Sequence, residues 1–229
     1  MREELLIAED LMLLLLDDDG ASVAGAGTLP YALGGAVLSE LALLGRVELD
    51  EDSGGPLNGP VVRPAGEGAL PDPLLESAHG AVAERPRRVQ PLLPALGGEL
   101  RGVLLDRLEQ RGLVRRETHR RLGVFRTTTW PAADERHEAE LRRRIRAALQ
   151  DGDEPDARTA AVISLLYGSG AMPALRPPMP WNSTTVRRAR ELQSGNWGGE
   201  AVGTAVARTT AAIAAATATA ATTAAITTT

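Results

Sequence analysis

The sequence predicts a mainly α protein with roughly seven or eight helices and one β-hairpin. Apolar residues recur at helical spacing through most of the chain, and glycines or capping side chains stand where those patterns stop. Only residues 113–128 show two short β-prone runs around a polar turn. The 229 residues can bury one substantial core, which must be aliphatic because aromatic residues make up only 3%. We therefore expect a single helical domain over residues 1–216.

The N-terminal region predicts two helices. Residues 3–16 are mostly apolar and read as a largely buried helix that stops at a run of three aspartates before Gly20. Thr28 and Pro30 favour the start of a second helix, because threonine can cap a helix and proline is tolerated in its first turn. The apolar face of this second helix ends at Gly45.

Residues 46–49 predict a short strand, and the segment that follows is less regular. Residues 50–98 are rich in glycine, proline and acidic residues. Proline cannot donate to a strand ladder, so we expect surface connections here without regular sheet, apart from one helix near residues 73–84. The stretch PRRVQPLLPALGG, residues 86–98, is interpreted as too rich in proline and glycine to form helices.

The most informative stretch is residues 100–131. Leu100, Leu104 and Leu108 recur every fourth residue and predict an amphipathic helix. Gly112 can supply the left-handed conformation that ends helices. After it, a run beginning at Leu113 and a second run at Val124–Phe125 predict the two strands of a hairpin, at about residues 113–128.

Four further helices are predicted in the C-terminal half. Asp134 is expected to cap a helix that runs to about Leu149, and Asp156 to cap another that stops at Gly168. Residues 183–193 are the third candidate helix. In the last 29 residues alanine favours helix while threonine weakens it. We expect a helix from about residue 199 to 216, followed by a disordered Ala/Thr-rich tail over residues 217–229.

Positive charge is gathered in the middle of an acidic protein. The net charge is -5, yet residues 84–146 hold 16 arginines against 9 acidic residues. Four arginines crowd the predicted hairpin: Arg115, Arg116, Arg120 and Arg121. A basic surface of this kind is typical of binding to a polyanion or to an anionic membrane. This prediction requires the guanidinium groups to form one exposed ridge that is not neutralised by neighbouring carboxylates.

The residues that common catalytic and metal sites require are not combined here. The three histidines, His79, His119 and His137, lie far apart in sequence, and Ser169 lacks the wider G-x-S-x-G context of a nucleophile elbow. There is no lysine for a phosphate-binding loop and no cysteine for a disulfide or thiolate ligand. The acidic pair Glu9–Asp10 is interpreted as helix-terminal or surface charge. We predict neither enzyme activity nor a cofactor or metal.

The sequence also predicts neither a secretory signal nor a membrane-spanning helix. Glu3 and Glu4 stand where a signal peptide carries positive charge. The apolar run at Leu5–Leu16 has 12 residues, interrupted by two acids, against roughly 20 for a bilayer span. Because there is no cysteine, a reducing cytoplasm fits the chain best.

Four passages together resemble the Golgi phosphoprotein 3 family, in its bacterial, actinomycete-like branch. They are LLIAEDLMLLLLDDDG at residues 5–20, LGGAVLSELALLGRVEL at 33–49, the helix and hairpin at 100–131, and DARTAAVISLLYGSG at 156–170. The resemblance implies a central helical bundle wrapped by amphipathic helices, with one protruding β-hairpin. It also implies a peripheral membrane protein that binds phosphatidylinositol 4-phosphate, as eukaryotic members do.

The phosphate pocket that the resemblance implies is degraded in this chain. In eukaryotic members a tryptophan and three arginines frame the phosphate. The tryptophan position falls at about Gly25, and the three arginine positions fall at Gly34, Gly98 and Arg101. Only Arg101 matches, so the headgroup loses most of its bidentate donors and its aromatic wall. We expect little discrimination among phosphoinositides.

The leading functional prediction is a cytoplasmic protein held at the inner face of the membrane by anionic phospholipid. Its predicted lipid-phosphate ligands are Arg101, Arg115, Arg116, Arg120 and Arg121. Val124 and Phe125 are predicted to make a small hairpin contact with the membrane or with a second copy of the chain, because the family's hairpin contributes to both kinds of contact. A homo-oligomer formed through the hairpin is therefore a further expectation.

Two other classes of function remain open. The helix and hairpin also resemble the helix-and-wing half of a winged-helix DNA-binding regulator. Against that hypothesis, the two helices required upstream would fall in residues 86–98, and the acidic remainder of the chain would repel DNA. The third possibility is a protein-interaction adaptor that has no lipid contact.

Overall fold

The computed structural model describes residues 4–17, 19–21, 27–50, 60–121, 125–175, 178–195 and 204–227. Its described part is mainly helical, which confirms the predicted fold class. The helices are α1 Ile7–Leu14, α2 Leu29–Leu43, α3 Pro73–Glu84, α4 Val89–Gly97, α5 Leu100–Gln110, α6 Arg136–Arg146, α7 Ala157–Gly168, α8 Ser183–Gln193 and α9 Thr204–Thr227. The strands are β1 Val47–Asp50, β2 Val61–Pro64, β3 Arg87–Arg88, β4 Glu117–Arg121 and β5 Phe125–Thr129.

Helix α1 is the most deeply buried element, since all eight of its residues are buried. Its apolar side chains enter the aliphatic core, as the sequence predicts. The interpretation of Glu9 and Asp10 as helix-terminal charge is confirmed, because both lie in the first turn of α1. The alternative that they are surface charge is wrong, because these residues are only 0% and 5% exposed. Their carboxylates are held inside the protein by arginine and histidine side chains that belong to later helices.

Helices α2 and α4 approach so closely that their backbones touch. A Cβ built on Gly34 of α2 would lie 2.0 Å from the carbonyl oxygen of Leu93, and one built on Gly97 of α4 would lie 1.8 Å from that of Pro30. Helix α2 also packs against α7 and α9, so it lies at the centre of the bundle. As predicted, α2 begins after Thr28 and is followed by Gly45, which has φ 65°.

A three-stranded antiparallel sheet lies beside the bundle, in the order β1-β2-β3. Strand β1 confirms the short strand predicted at residues 46–49. The expectation that residues 50–98 contain no regular sheet is wrong: Val61 and Val62 pair with β1 on one side and β3 on the other. Proline is tolerated because Pro64 closes the end of β2, where a missing N–H costs little. Helix α4 likewise forms within residues 86–98 despite the internal Pro94.

Helix α5, Gly112 and the hairpin follow the predicted order. Gly112 has φ 71°, and its N–H donates to the carbonyl of Glu109 at the helix end. Strand β4 pairs with β5 from Glu117↔Thr129 to Arg121↔Phe125. The ladder therefore begins later than predicted, and Val114 contributes only one isolated bridge, to Ala132.

Helices α6, α7 and α8 begin close to their predicted starts. The start predicted for the last helix, at about residue 199, lies outside the described residues, and the end of that helix differs from the prediction. Asp156 caps α7 by accepting a hydrogen bond of 2.8 Å from the Thr159 N–H, as predicted. A π-helical turn, Ala147–Asp151, extends α6. Helix α9 continues past residue 216 to Thr227, so the tail expected to be disordered is helical over most of its length. Thr217 and Ala220 are buried there, at 0% and 7% exposure, which favours continued helix.

Candidate functional site

The predicted site residues are distributed over α5 and the hairpin. Arg101 lies in the first turn of α5, and Arg115 and Arg116 lie in the segment between Gly112 and β4. Three other predicted residues have backbones in the two strands, but their side chains lie outside the described part of the chain: Arg120, Arg121 and Phe125. Val124 lies wholly outside the described residues.

Trp130 brings two of these arginines together at the base of the hairpin. The guanidinium carbon of Arg101 lies over the indole ring, 5.5 Å from its centroid, and that of Arg116 lies 5.6 Å from it. Both distances are within the range of cation–π attraction. The backbone N–H of Trp130 donates to the carbonyl of Gly20 at 3.0 Å, and this hydrogen bond connects the end of β5 to the turn after α1. We call Arg101, Arg116 and Trp130 the hairpin-base cluster.

The indole nitrogen of Trp130 is a buried polar atom. Its Nε1 is buried and has no hydrogen-bond partner among the described residues. An indole N–H normally finds an acceptor when it is buried, so this donor is unsatisfied among the described residues, and a ligand oxygen would reach it only after the atoms that cover it move. Trp130 is not among the site residues predicted from the sequence. The available signal was a tryptophan standing directly after a β-prone run of threonines, next to an arginine-rich hairpin.

The arginines beside the hairpin are paired with carboxylates. The Nε of Arg115 donates to Glu117 at 2.5 Å, and its Nη1 donates to the carbonyl of Ala132 at 3.0 Å. Arg116 forms an ion pair with Asp106 and lies 3.4 Å from a carboxylate oxygen of Glu109. The prediction that these guanidinium groups form an unopposed basic ridge is therefore wrong for Arg115 and Arg116.

These ion pairs are nevertheless accessible to solvent. The side chains of Arg115 and Arg116 are 58% and 45% exposed. The hydrogen bond from Arg115 is the main reason that the pKa of the Glu117 carboxyl is lowered. Exposed pairs of this kind are weak and are screened by salt. An anionic surface can therefore compete with Glu117, Asp106 and Glu109 for the same donors.

Arg101 differs from the two hairpin arginines. It is half-buried, and within the described ranges no carboxylate forms an ion pair with it. Its position in the first turn of α5 adds the positive end of the helix dipole to its own charge. Arg101 is therefore the strongest candidate ligand for a phosphate among the arginines whose side chains are described.

The positions of the implied phosphate pocket are not arranged as a pocket. Gly34 faces α4, and the carbonyl of Leu93 occupies the space that any side chain at this position would need. A Cβ on Gly98 would lie 3.1 Å from the carbonyl of Pro94, which is tight but not prohibitive. Gly25 lies outside the described residues. Of the implied pocket side chains, Arg101 alone is present and placed near an aromatic ring.

A family model described as Golgi phosphoprotein 3 (GPP34) matches residues 7–209, which is most of the chain. The chain belongs to the Golgi phosphoprotein 3 family. This confirms the resemblance on which the expected fold and pocket depend, while the bacterial branch stays a prediction. No curated protein matches the chain. The Golgi phosphoprotein 3 family is not a known enzyme family.

Across the described ranges of this family member, no helix has both the length and the hydrophobicity needed to cross a bilayer.

Proposed function

We propose that this Golgi phosphoprotein 3 family protein binds anionic phospholipid as a peripheral protein at the inner, cytoplasmic face of a membrane. The observation that carries the proposal is the hairpin-base cluster, in which Arg101 and Arg116 lie over the ring of Trp130. Family membership supports it, since phosphoinositide binding is associated with this family.

The chemistry of the cluster suits a membrane surface. Guanidinium groups donate bidentate hydrogen bonds to phosphate oxygens. Tryptophan favours the boundary between headgroups and acyl chains, where its ring is partly in apolar surroundings and its N–H meets polar groups. If the residues that cover Nε1 of Trp130 move at the membrane surface, this N–H would donate to a phosphate or carbonyl oxygen of the lipid.

Binding through this cluster and the neighbouring Arg115 is weak and depends on salt. Each basic residue close to an anionic surface contributes about 1 kcal/mol, so Arg101, Arg115 and Arg116 together contribute about 3 kcal/mol. Competition with the existing carboxylate partners of Arg115 and Arg116 reduces this figure. Charge on Arg120 and Arg121 of β4 would add to it. The complex should dissociate as the ionic strength rises.

Selectivity for phosphatidylinositol 4-phosphate is proposed to be low. The lipid is expected by family membership, but Gly34 offers no donor and no space for one. With one pocket arginine left, the headgroup is held mainly by charge. Vesicles of equal charge density containing phosphatidylinositol 4-phosphate or phosphatidylserine should therefore bind the protein to about the same extent.

Vesicle co-sedimentation tests the proposal. The wild-type protein should sediment with anionic vesicles at low salt, and Arg101→Ser should weaken this binding. Arg190→Ser is the control that removes the same charge elsewhere, because Arg190 is an exposed arginine on α8, which packs against α7, α9 and the π-helical turn. Equal binding by both variants and wild type would exclude Arg101 as a ligand, and no sedimentation of wild type would favour the adaptor hypothesis.

One observation favours a DNA-binding function as the second candidate. The element order α3, β3, α4, α5, β4, β5 is that of a winged helix, and the objection that residues 86–98 are unable to form helix is wrong. However, β3 pairs with β2 and not with the hairpin. The solvent side of α5 carries Asp106 and Glu109, which would repel phosphates. Binding to duplex DNA without binding to anionic vesicles would support this candidate over the first.

A further inference from the structure

Three buried carboxylates of α1 and α2 form a network with arginines from later elements. The side chains of Glu9, Asp10 and Glu40 are 0%, 7% and 7% exposed. The contacts, in order along the chain, are Arg107 Nε to Glu9 at 2.9 Å, Arg111 Nε to Glu9 at 3.3 Å, His137 Nε2 to Asp10 at 2.7 Å, Arg158 Nη2 to Asp10 at 3.6 Å, and an ion pair between Arg158 and Glu40.

Two of these carboxylates also accept hydrogen bonds from backbone N–H groups. Glu9 accepts a hydrogen bond of 2.8 Å from the N–H of Leu6, and Glu40 accepts one of 2.6 Å from the N–H of Ile7. Burial is the largest influence on Glu40 and raises the pKa of its carboxyl. Burying this many charges costs several kcal/mol per ion before pairing, and apolar residues of similar size would stabilise a core equally well. The network therefore calls for a role besides stability.

The network borders a cavity of about 810 Å³. This volume lies within the range of pockets that hold small organic ligands, roughly 300–1,000 Å³. One part of the wall is apolar and is formed by side chains from several elements: Leu5, Leu113, Leu141, Ile145 and Val162. The other part is polar and is formed mainly by Arg107, Arg111, Arg144, Arg158 and His137.

The cavity presents cationic groups more than anionic ones. The guanidinium side chains of Arg107, Arg111 and Arg158 are 22%, 26% and 26% exposed, whereas the carboxylates behind them are nearly inaccessible. Among the described residues, two acidic ones line the cavity, Glu4 and Asp10, and Asp10 already contacts His137 and Arg158. The carboxylates of Glu9 and Glu40 thus orient the arginines without lining the cavity, and the negative charge of Asp10 is opposed by His137 and Arg158.

We propose that this cavity binds a small amphipathic organic anion. A carboxylate or phosphate monoester head would accept hydrogen bonds from Arg144 at the rim and from Arg158 further in. Arg158 donates to Glu40 and to the carbonyl of Leu5, which uses two of the five N–H donors of its guanidinium. Its Nε lies 3.5 Å from the carboxylate of Glu4, which is 81% exposed, so a ligand anion would compete with Glu4 for this donor. A short alkyl chain or ring would pack on the apolar wall formed by Leu141, Ile145 and Val162.

Arg144 and its neighbour Arg143 provide a matched pair of variants. Both are exposed residues of α6 that pair with Glu140, at 3.0 Å and 2.6 Å. Only Arg144 lines the cavity. Because either arginine can hold Glu140 alone, Arg144→Gln and Arg143→Gln should be folded and of similar stability. The two variants should differ in one respect: Arg144→Gln removes a cationic group from the cavity wall, and Arg143→Gln does not.

Isothermal titration with octyl phosphate below its micellar concentration tests the proposal. Wild type should bind octyl phosphate more tightly than octanol, octylammonium or inorganic phosphate, because the site needs both an anionic head and an apolar body. Arg144→Gln should weaken binding about threefold to tenfold, as expected for one charge-assisted contact at a half-exposed site. Arg143→Gln should bind as wild type does.

Two results would overturn the proposal. One is octyl phosphate binding no more tightly than octanol or octylammonium, and the other is an equal effect of Arg144→Gln and Arg143→Gln. Arg101→Ser should leave octyl phosphate binding unchanged, which separates this site from the hairpin-base cluster. The anion could be a soluble molecule or a lipid headgroup, and vesicle co-sedimentation decides between them. Binding to vesicles that is unaffected by Arg144→Gln indicates a soluble ligand, and weakened binding indicates a lipid.

Discussion

Substituting alanine for Gly34 probes the closest contact in the bundle, where α2 meets α4. The added Cβ would lie 2.0 Å from the carbonyl oxygen of Leu93 and 2.8 Å from its carbon. Ordinary contacts of this type are at least about 3 Å, so the two helices must separate by about 1 Å. Both atoms belong to backbone, so no side-chain rotation can relieve the overlap. The same contact explains why no arginine is accommodated at this position.

The expected loss of stability follows from two opposing terms. Overpacking of a well-packed interior costs about 1–3 kcal/mol, and a backbone obstacle places Gly34→Ala near the upper value. Alanine in place of a helical glycine stabilises the helix by about 0.5–1 kcal/mol, because alanine loses less conformational entropy on folding. The net destabilisation is about 2 kcal/mol, which for a chain of this size lowers the melting temperature by about 4–8 °C.

Thermal unfolding followed by circular dichroism measures this effect, with Gly102→Ala as the control. Gly102 is also a helical glycine, in α5, but a Cβ there would meet nothing within 4 Å. Its substitution should raise the melting temperature by about 1–4 °C through helix propensity alone. If Gly34→Ala is as stable as wild type, the backbone contact between α2 and α4 is absent. The steric reason for the degraded pocket would then fail.

Three further predictions concern the charges and the last helix. Glu9→Gln should cost about 3 kcal/mol in denaturant unfolding because it breaks a buried ion-pair network, whereas Asp106→Asn, at an exposed pair, should cost less than about 1 kcal/mol. The pKa of Glu140 is lowered to about 2, and the largest cause is the hydrogen bond from Arg143. The ionised Glu140 should therefore stabilise the folded protein fully above pH 4.5, and this stabilisation should be lost as the pH falls through about 2. Arg143→Gln should raise that pKa in a carboxyl NMR titration. A chain ending at Ala216 should unfold at a lower temperature than the full chain, because buried residues of α9 are removed. Equal melting temperatures would instead support the prediction that residues 217–229 are disordered.

Elements defined by neighbouring residues were predictable from the sequence. The leucines of α5, the stop at Gly112 and the Asp156 cap of α7 each depend on residues within a few positions of one another. Side-chain spacing and capping preferences report such local structure directly. The hairpin was predictable for the same reason, although its ladder begins at Glu117 instead of Leu113.

Features that join distant parts of the chain were not predictable in this way. Glu9 looked like surface charge because its partner Arg107 is 98 residues away, and the partner of Asp10, His137, is 127 residues away. Strand β2 was obscured by prolines, whose position at a strand end is visible only in the sheet. Trp130 gained significance only when α5 and the hairpin placed Arg101 and Arg116 against its ring.

The most direct test of lipid binding through the hairpin-base cluster is the fluorescence of Trp130 in a variant that keeps it as the only tryptophan. Trp181→Phe and Trp197→Phe remove the other two. Anionic vesicles containing brominated phospholipid should quench Trp130 emission at low salt, and added salt should restore it. If the protein sediments with these vesicles while Trp130 remains unquenched, the membrane contacts another surface and the proposed site is contradicted.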